Sequence, residues 1–276
     1  MAKEFMTKAE FVNLIMTVAD EFGVAKTVET KRVDTTYTGV TLDVTGIPVP
    51  VVNTDKLYAE YCNGKSVESI SRIVRDIFNT DPEIPLTMDE LTDWNIVKDR
   101  IFLRLVREVD DGMYRKVADM CLVPYVSVAE NKGLMARITP EWMNSWGVTE
   151  DMVFEQAKNN QETLRPAKIE SLADRVGQPE EEPSSLYIVS VKSGCCGASA
   201  ITYDSVPTRI RNLIGEFYII PASIHETIVI PKEGKDPEDL KMMVEFVNKT
   251  QVADEDILSY SVYTYDFDKK EIVKVA

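Results

Sequence analysis

Phe217-Tyr218-Ile219-Ile220-Pro221-Ala222-Ser223-Ile224-His225-Glu226-Thr227-Ile228-Val229-Ile230 decides how this chain is read. Two runs dense in β-branched and aromatic residues flank a proline-bearing connection, the composition of two buried strands joined by a turn. The connection carries the only histidine in 276 residues. Upstream, residues 186–191 and 198–203 read as strands, and 206–214 as a helix closed by Gly215. Downstream, Asp236-Pro237-Glu238 opens a helix bearing Leu240, Met243, Val244 and Val247, and residues 261–265 and 271–275 close as a hairpin across Asp266-Phe267-Asp268-Lys269. Strand, strand, helix, strand, strand, helix, strand, strand predicts an α+β fold of mostly antiparallel sheets with helices packed on one face.

The N-terminal part follows the same class. Thr7 and Glu10 form a capping-box pattern before Phe11, Leu14, Ile15 and Val18, at helical spacing, and Gly23 stops the run. Residues 24–50, rich in β-branched side chains and punctuated by Gly39 and Gly46, read as two or three antiparallel strands. Thr54 and Ser66 then start the two helices of a helical hairpin, and Thr87 a short helix after the proline-bearing loop 80–85. Ile101, Leu103 and Leu105 alternate with arginines as in a strand, with helix as the alternative, and residues 119–129, rich in Val, Tyr, Leu and Cys, read as a more buried strand, with a turn at Asn131-Lys132-Gly133 before a shorter strand at 134–138. Thr139-Pro140-Glu141 and Thr149-Glu150-Asp151 start two more helices, the second ending near Asn159-Asn160. The stretch 178–185, Gln-Pro-Glu-Glu-Glu-Pro-Ser-Ser, has no apolar residue. It divides the chain into two subdomains: 1–165, an acidic linker 166–185, and 186–276.

Composition restricts function. A hydrophobic content of 44% supports a real core, and a formal charge of −15 repels phosphate backbones, so direct nucleic-acid binding is not expected. No apolar stretch has the length of a membrane span or signal peptide, which places the protein by default in the cytoplasm. Cys62, Cys121, Cys195 and Cys196 are too few for a disulfide scaffold and read as reduced thiols.

Leu57-Tyr58 with Gly64 and Ser66, Val97-Lys98-Asp99-Arg100-Ile101, Trp146-Gly147-Val148-Thr149, and Ala157 with Asn159-Asn160 recur as family phrases. Tyr218-Ile219-Ile220-Pro221, Ser223-Ile224-His225-Glu226, Asn248 with Thr250-Gln251-Val252, and Leu258-Ser259 with Val262-Tyr263 continue them. From about Asp43 onward the chain resembles an uncharacterised bacterial family of unknown function frequent in anaerobic Firmicutes. From about Thr139 it is also similar to the YtpQ-type family, where arginine and aspartate usually follow the proline and serine. The resemblance implies a cytoplasmic accessory protein, often of mobile or variable genome regions, without assigned activity or catalytic residues. Cys195-Cys196 departs from the small or polar residues expected at that place, which argues against a shared role for those thiols.

Four constellations could carry chemistry. His225 with Glu226 and Ser223 is the candidate catalytic group, because imidazole titrates near neutrality, although neighbours on a strand face opposite ways. Ser223 to Glu226 equally fits a serine and glutamate cap that orders a turn. No second histidine completes an H-E-x-x-H pair, so neither metal nor cofactor is expected; a metal would need carboxylates or thiolates from elsewhere. Ser193-Gly194-Cys195-Cys196-Gly197 could present a thiol with His225 as base, or simply make a tight turn. Lys98, Arg100 and Arg104 would share one strand face that could bind phosphate or carboxylates, or be a solvated run balanced by Asp99, Glu108 and Asp110. Trp142, Trp146 and the tyrosines at these spacings are ordinary core packing. With no complete catalytic set and an acidic surface, the leading expectation is a non-enzymatic protein that binds another protein. The alternatives are an acidic inhibitor that mimics nucleic acid on a defence or processing enzyme, and a hydrolase or transferase using His225.

Overall fold

The computed structural model describes residues 5–32, 35–45, 49–79, 86–109, 111–129, 134–177 and 186–276. Expectations for Gly46, loop 80–85, Asp110, turn 131–133 and the acidic stretch 178–185 fall outside these residues. Residues 1–92 with 128–134 form one compact unit, and 93–127 with 135–276 a second.

In the first unit, Thr7 Oγ1 accepts from the Glu10 amide while the Glu10 carboxylate accepts from the Thr7 amide, so the capping box starts α1 (Lys8–Ala19). β1 (Ala25–Arg32), β2 (Thr35–Leu42) and β3 (Val52–Asn53) form an antiparallel sheet beside α2 (Thr54–Cys62) and α3 (Val67–Phe78). Asn53, not Thr54, caps α2; the Thr54 hydroxyl instead donates to the Thr38 carbonyl. Phe11, Ile15, Val40, Ile70 and Val74 make the fully buried core. The expected short helix appears as α4 (Met88–Leu91), again with a capping box.

The second unit opens with α5 (Trp94–Val97), a 3-10 turn at Lys98–Arg100, β4 (Ile101–Val106), β5 (Arg115–Val117), and all but the ends of β6 (Met120–Ala129) and β7 (Leu134–Arg137), whose residues 128, 129 and 134 count with the first. β6 pairs with β4, β5 and β7 in one four-stranded sheet. α6 (Pro140–Trp146) and α7 (Glu150–Leu164) follow from their predicted caps, with α7 running past Asn159-Asn160. Then come β8 (Ala167–Ser171), α8 (Leu172–Val176), β9 (Tyr187–Val191), a 3-10 segment Gly197–Thr202, α9 (Val206–Ile214), β10 (Phe217–Pro221) and β11 (Thr227–Pro231). α10 (Pro237–Gln251), a 3-10 turn at Asp254–Asp256, β12 (Tyr263–Asp266) and β13 (Glu271–Lys274) complete the chain order.

The strands of the larger sheet run β13-β12-β10-β11-β9-β8, and every pairing among them is antiparallel, as the α+β reading requires. Phe217, Ile219, Val229 and Tyr263 pack with Val206 and Ile210 of α9. Ile220 and Ile230 pack with Leu240 and Val244 of α10. Side chains alternate across a strand, so α9 and α10 cover opposite faces of this sheet, whereas the element order suggests helices on one face only: both faces of β10 and β11 carry apolar residues that need cover. Two segments differ from expectation. The predicted strand 198–203 is a 3-10 segment, because Ala198, Ser199 and Ala200 are small and fully buried and let a tight coil press against β9. The stretch expected to be linker, 166–185, contributes β8 and α8; Ile169 between Lys168 and Glu170 gives β8 the half-polar alternation of an edge strand.

Candidate functional site

The site grows from the turn after β9. Gly194 has φ 72°, and Cys196 has φ 49° and ψ 40°, a left-handed conformation that costs a residue with a Cβ about 1–2 kcal/mol. Neighbours over-determine it. Arg165, at the end of α7, donates to the carbonyls of Cys195 and, at 3.4 Å, of Cys196. Cys196 N–H donates to His225 Nδ1 at 2.9 Å, and Ala198 N–H to the Ile224 carbonyl at 3.2 Å. Gly197 allows this approach, since a Cβ there would lie 2.3 Å from Ser190 Oγ, 2.6 Å from Val191 N and 2.8 Å from the His225 carbonyl oxygen.

The other side of the site is the β10–β11 connection. Ala222 and Ser223 amides both donate to the Glu226 carbonyl, which closes the hairpin. Ser223 Oγ accepts from His225 N–H at 3.0 Å, Ser190 Oγ donates to the His225 carbonyl at 2.8 Å, and Ile224 N–H donates to the Asp256 carbonyl at 2.8 Å. The serine and glutamate pattern therefore orders a strand connection; no helix begins there. Glu226 turns away from the imidazole toward Arg175, at 3.4 Å.

His225 is about 38% exposed, and its Nε2 faces Asp256 Oδ1 at 3.6 Å. Because Nδ1 accepts the Cys196 amide, the neutral ring carries its proton on Nε2. Asp256 raises the imidazole pKa above its ordinary value, while burial opposes that. The Cys196 amide opposes it too, since a protonated Nδ1 cannot accept. Cys196 is buried, and its hydrogen bond with Cys195 and its desolvation both push the thiol pKa up. The two sulfurs stand 3.7 Å apart, and both lie within 4.8 Å of a ring nitrogen of His225. A protonated buried thiol and an imidazole lone pair engaged by an amide hold a turn well and are poorly set for nucleophilic attack.

Arginines border the turn. Arg104 is only 7% exposed, stacks 4.6 Å above Tyr125 and reaches Met135 Sδ at 3.5 Å. Its Nε has no hydrogen-bond partner, and no carboxylate pairs with it among the described residues. Arg165 lies 4.5 Å above Phe102, the cross-strand neighbour of Tyr125, and burial lowers its pKa. The positive charge of Arg104 reaches both Cys196 and His225. Lys98 and Arg100 do not join it on a strand face, because both lie in the 3-10 turn before β4, tied down where Asn160 Nδ2 donates to the Lys98 and Ile101 carbonyls.

A second surface lies on α10. Met242 and Phe246 are 64% and 67% exposed, with Met243 and Val247 exposed beside them. Met243 and Val247 also line a groove of about 190 Å³, together with Leu186, Ile220, Ile228 and Ile230. Of the site residues, sequence reading reached His225, Ser223, the vicinal cysteines and Arg104. It missed Asp256 and Arg165, which no local pattern connects to them; Gly197 was within the glycine-flanked turn it named, but is required for close approach to β9, while Gly194 has the positive φ.

Fold and site together describe an antiparallel α+β protein in which one histidine, two vicinal thiols and two half-stacked arginines are gathered around a strained turn. The chain belongs to a family of unknown function, DUF5688, whose model matches residues 3–267. No curated protein and no solved structure matches it. Among the described residues no helix is long and apolar enough to cross a membrane.

Proposed function

We propose that this chain is a non-enzymatic, protein-binding accessory protein of a reducing compartment such as the cytoplasm, and that α10 receives an amphipathic helix with basic flanks from its partner. The observation that carries this is the strip Met242, Met243, Phe246 and Val247, exposed in two i, i+4 pairs, of which Met243 and Val247 line an apolar groove. Contiguous apolar surface on a water-soluble fold marks an interaction site, and methionine adapts its shape to a helix laid into a groove. A chain of net charge −15 selects and steers a partner with the opposite charge around that contact. The four cysteines form no disulfide, which suits a reducing compartment.

The test compares capture from host extract by the wild-type chain and by Phe246→Glu and Met243→Glu, with photo-crosslinking from position 242. One stoichiometric partner, crosslinked through a helix with lysine or arginine flanks and lost with both variants at unchanged melting temperature, is expected. Equal capture by variants and wild type refutes the reading. So does a concentration-dependent dimer that Phe246→Glu abolishes, which would make a second copy the occupant.

A further inference from the structure

We infer that Cys195, Cys196 and His225 form a binding site for one thiophilic d10 metal ion, zinc(II) or copper(I). This rests on the turn alone and is independent of the α10 surface. Two metal–sulfur bonds of about 2.3 Å meeting at a tetrahedral angle set their sulfurs about 3.8 Å apart. The two sulfurs are 3.7 Å apart, and a ring nitrogen completes a triangle within 4.8 Å. Adjacent cysteines on regular strand point to opposite faces, so bringing both sulfurs to one side demands an unusual backbone. The left-handed Cys196, clamped by Arg165 at two carbonyls, supplies it.

His225 ligates through Nδ1, the nitrogen on the turn side, and loading exchanges the Cys196 N–H contact for the metal. Its Nε2–H then points at Asp256, the carboxylate–histidine–metal arrangement that fixes tautomer and ring orientation. Each thiol releases its proton to solvent as it ligates, so a divalent ion gives a neutral cluster and two protons. Copper(I) leaves one net negative charge, beside Arg104, a cation nine-tenths buried with no carboxylate partner among the described residues. With three protein ligands, zinc would have a fourth position left for water or another ligand.

The experiment titrates the reduced, metal-free full-length chain with cobalt(II) as spectroscopic probe, then zinc(II) and copper(I) against chromophoric chelators. One ion per chain is expected, with a thiolate-to-cobalt charge-transfer band and the d–d bands of a tetrahedral site. Cys195→Ser and His225→Gln should each weaken binding at least about tenfold, while Cys62→Ser leaves it unchanged. Asp256→Asn, acting through His225, should weaken it about 10–100-fold and alter the d–d envelope, with the metal-free melting temperature unchanged. Absence of the charge-transfer band in the wild-type chain overturns the site, whether or not any variant folds. Binding that survives Cys195→Ser combined with His225→Gln, or a thiol count showing Cys195 and Cys196 joined to each other, also overturns it.

Discussion

Gly197→Ala tests the geometry on which the turn depends. The added Cβ would meet Ser190 Oγ at 2.3 Å, Val191 N at 2.6 Å and the His225 carbonyl oxygen at 2.8 Å, against an ordinary contact of 3.4–4 Å. Ser190 can rotate away, but only by giving up its 2.8 Å bond to the His225 carbonyl, worth about 1 kcal/mol. The other two atoms are backbone, one in β9 and one in the histidine loop, so relief requires moving a strand or the 3-10 segment. Overpacking of this kind costs about 1–3 kcal/mol, and the sum is roughly 3 kcal/mol. At about 2–4 °C per kcal/mol for a unit of this size, the melting temperature should fall by about 6–12 °C. The same shift should break the Cys196 N–H to Nδ1 bond. The chain has one histidine, so a single pair of imidazole nitrogen resonances reports the loss of the fixed Nε2–H tautomer without assignment. Gly194→Ala is the control: nothing lies within 4 Å of its Cβ, and only the φ of 72° opposes it, at about 1–2 kcal/mol. A Gly197→Ala chain melting within about 2 °C of wild type, or melting above Gly194→Ala, would refute the reasoning.

Asp119 accepts from Tyr263 Oη at 2.5 Å and Lys274 Nζ at 2.9 Å; burial would raise its pKa, but these donors outweigh it and hold it below the ordinary 3.8. A depressed carboxylate stabilises the fold above its unfolded pKa and loses that contribution as pH falls through the folded value, so acid unfolding followed by circular dichroism should be less steep below about pH 4 in Asp119→Asn. Arg104→Met removes a buried cation without a carboxylate partner, and thermal unfolding should show a melting temperature unchanged or raised by the equivalent of about 1 kcal/mol; a large fall would mean that the cation is satisfied in the metal-free fold. Tyr203→Phe leaves the Arg165 carbonyl without its 3.2 Å donor and should cost about 1–3 kcal/mol in denaturant titration.

Local signals carried most of the element order, because they need only neighbouring residues. Thr7 with Glu10, Thr87 with Glu90, and Pro140 and Pro237 at first helical positions state their own starts, and each helix begins there. The 198–203 run misled because its Ile, Thr and Tyr have strand propensity, while its conformation is decided by how closely Gly197 and Ala198 can approach β9. Arg104 misled for a related reason: alternation with Leu103 and Leu105 suggests a wet face, but every residue of β4 is buried. β5 was missed because three residues leave no period to read. The site was legible at His225 and at the vicinal cysteines, whose rarity marks them. Asp256 and Arg165 reach the site only through the sheet order and the end of α7, which residue types alone do not encode.

The Arg165 clamp binds events that are far apart in the chain. Its guanidinium holds the carbonyls of Cys195 and Cys196, while its own carbonyl takes the Tyr203 hydroxyl, whose pKa burial pushes up to about 12. The last turn of α7, the cysteine turn and the end of the 3-10 segment therefore share one residue at three anchor points. In native-state hydrogen exchange, the amides of Cys196 and Ala198, which donate to the β10–β11 connection, and of Tyr203 should open together with that connection and the last turn of α7, as one cooperative unit that α10 does not join.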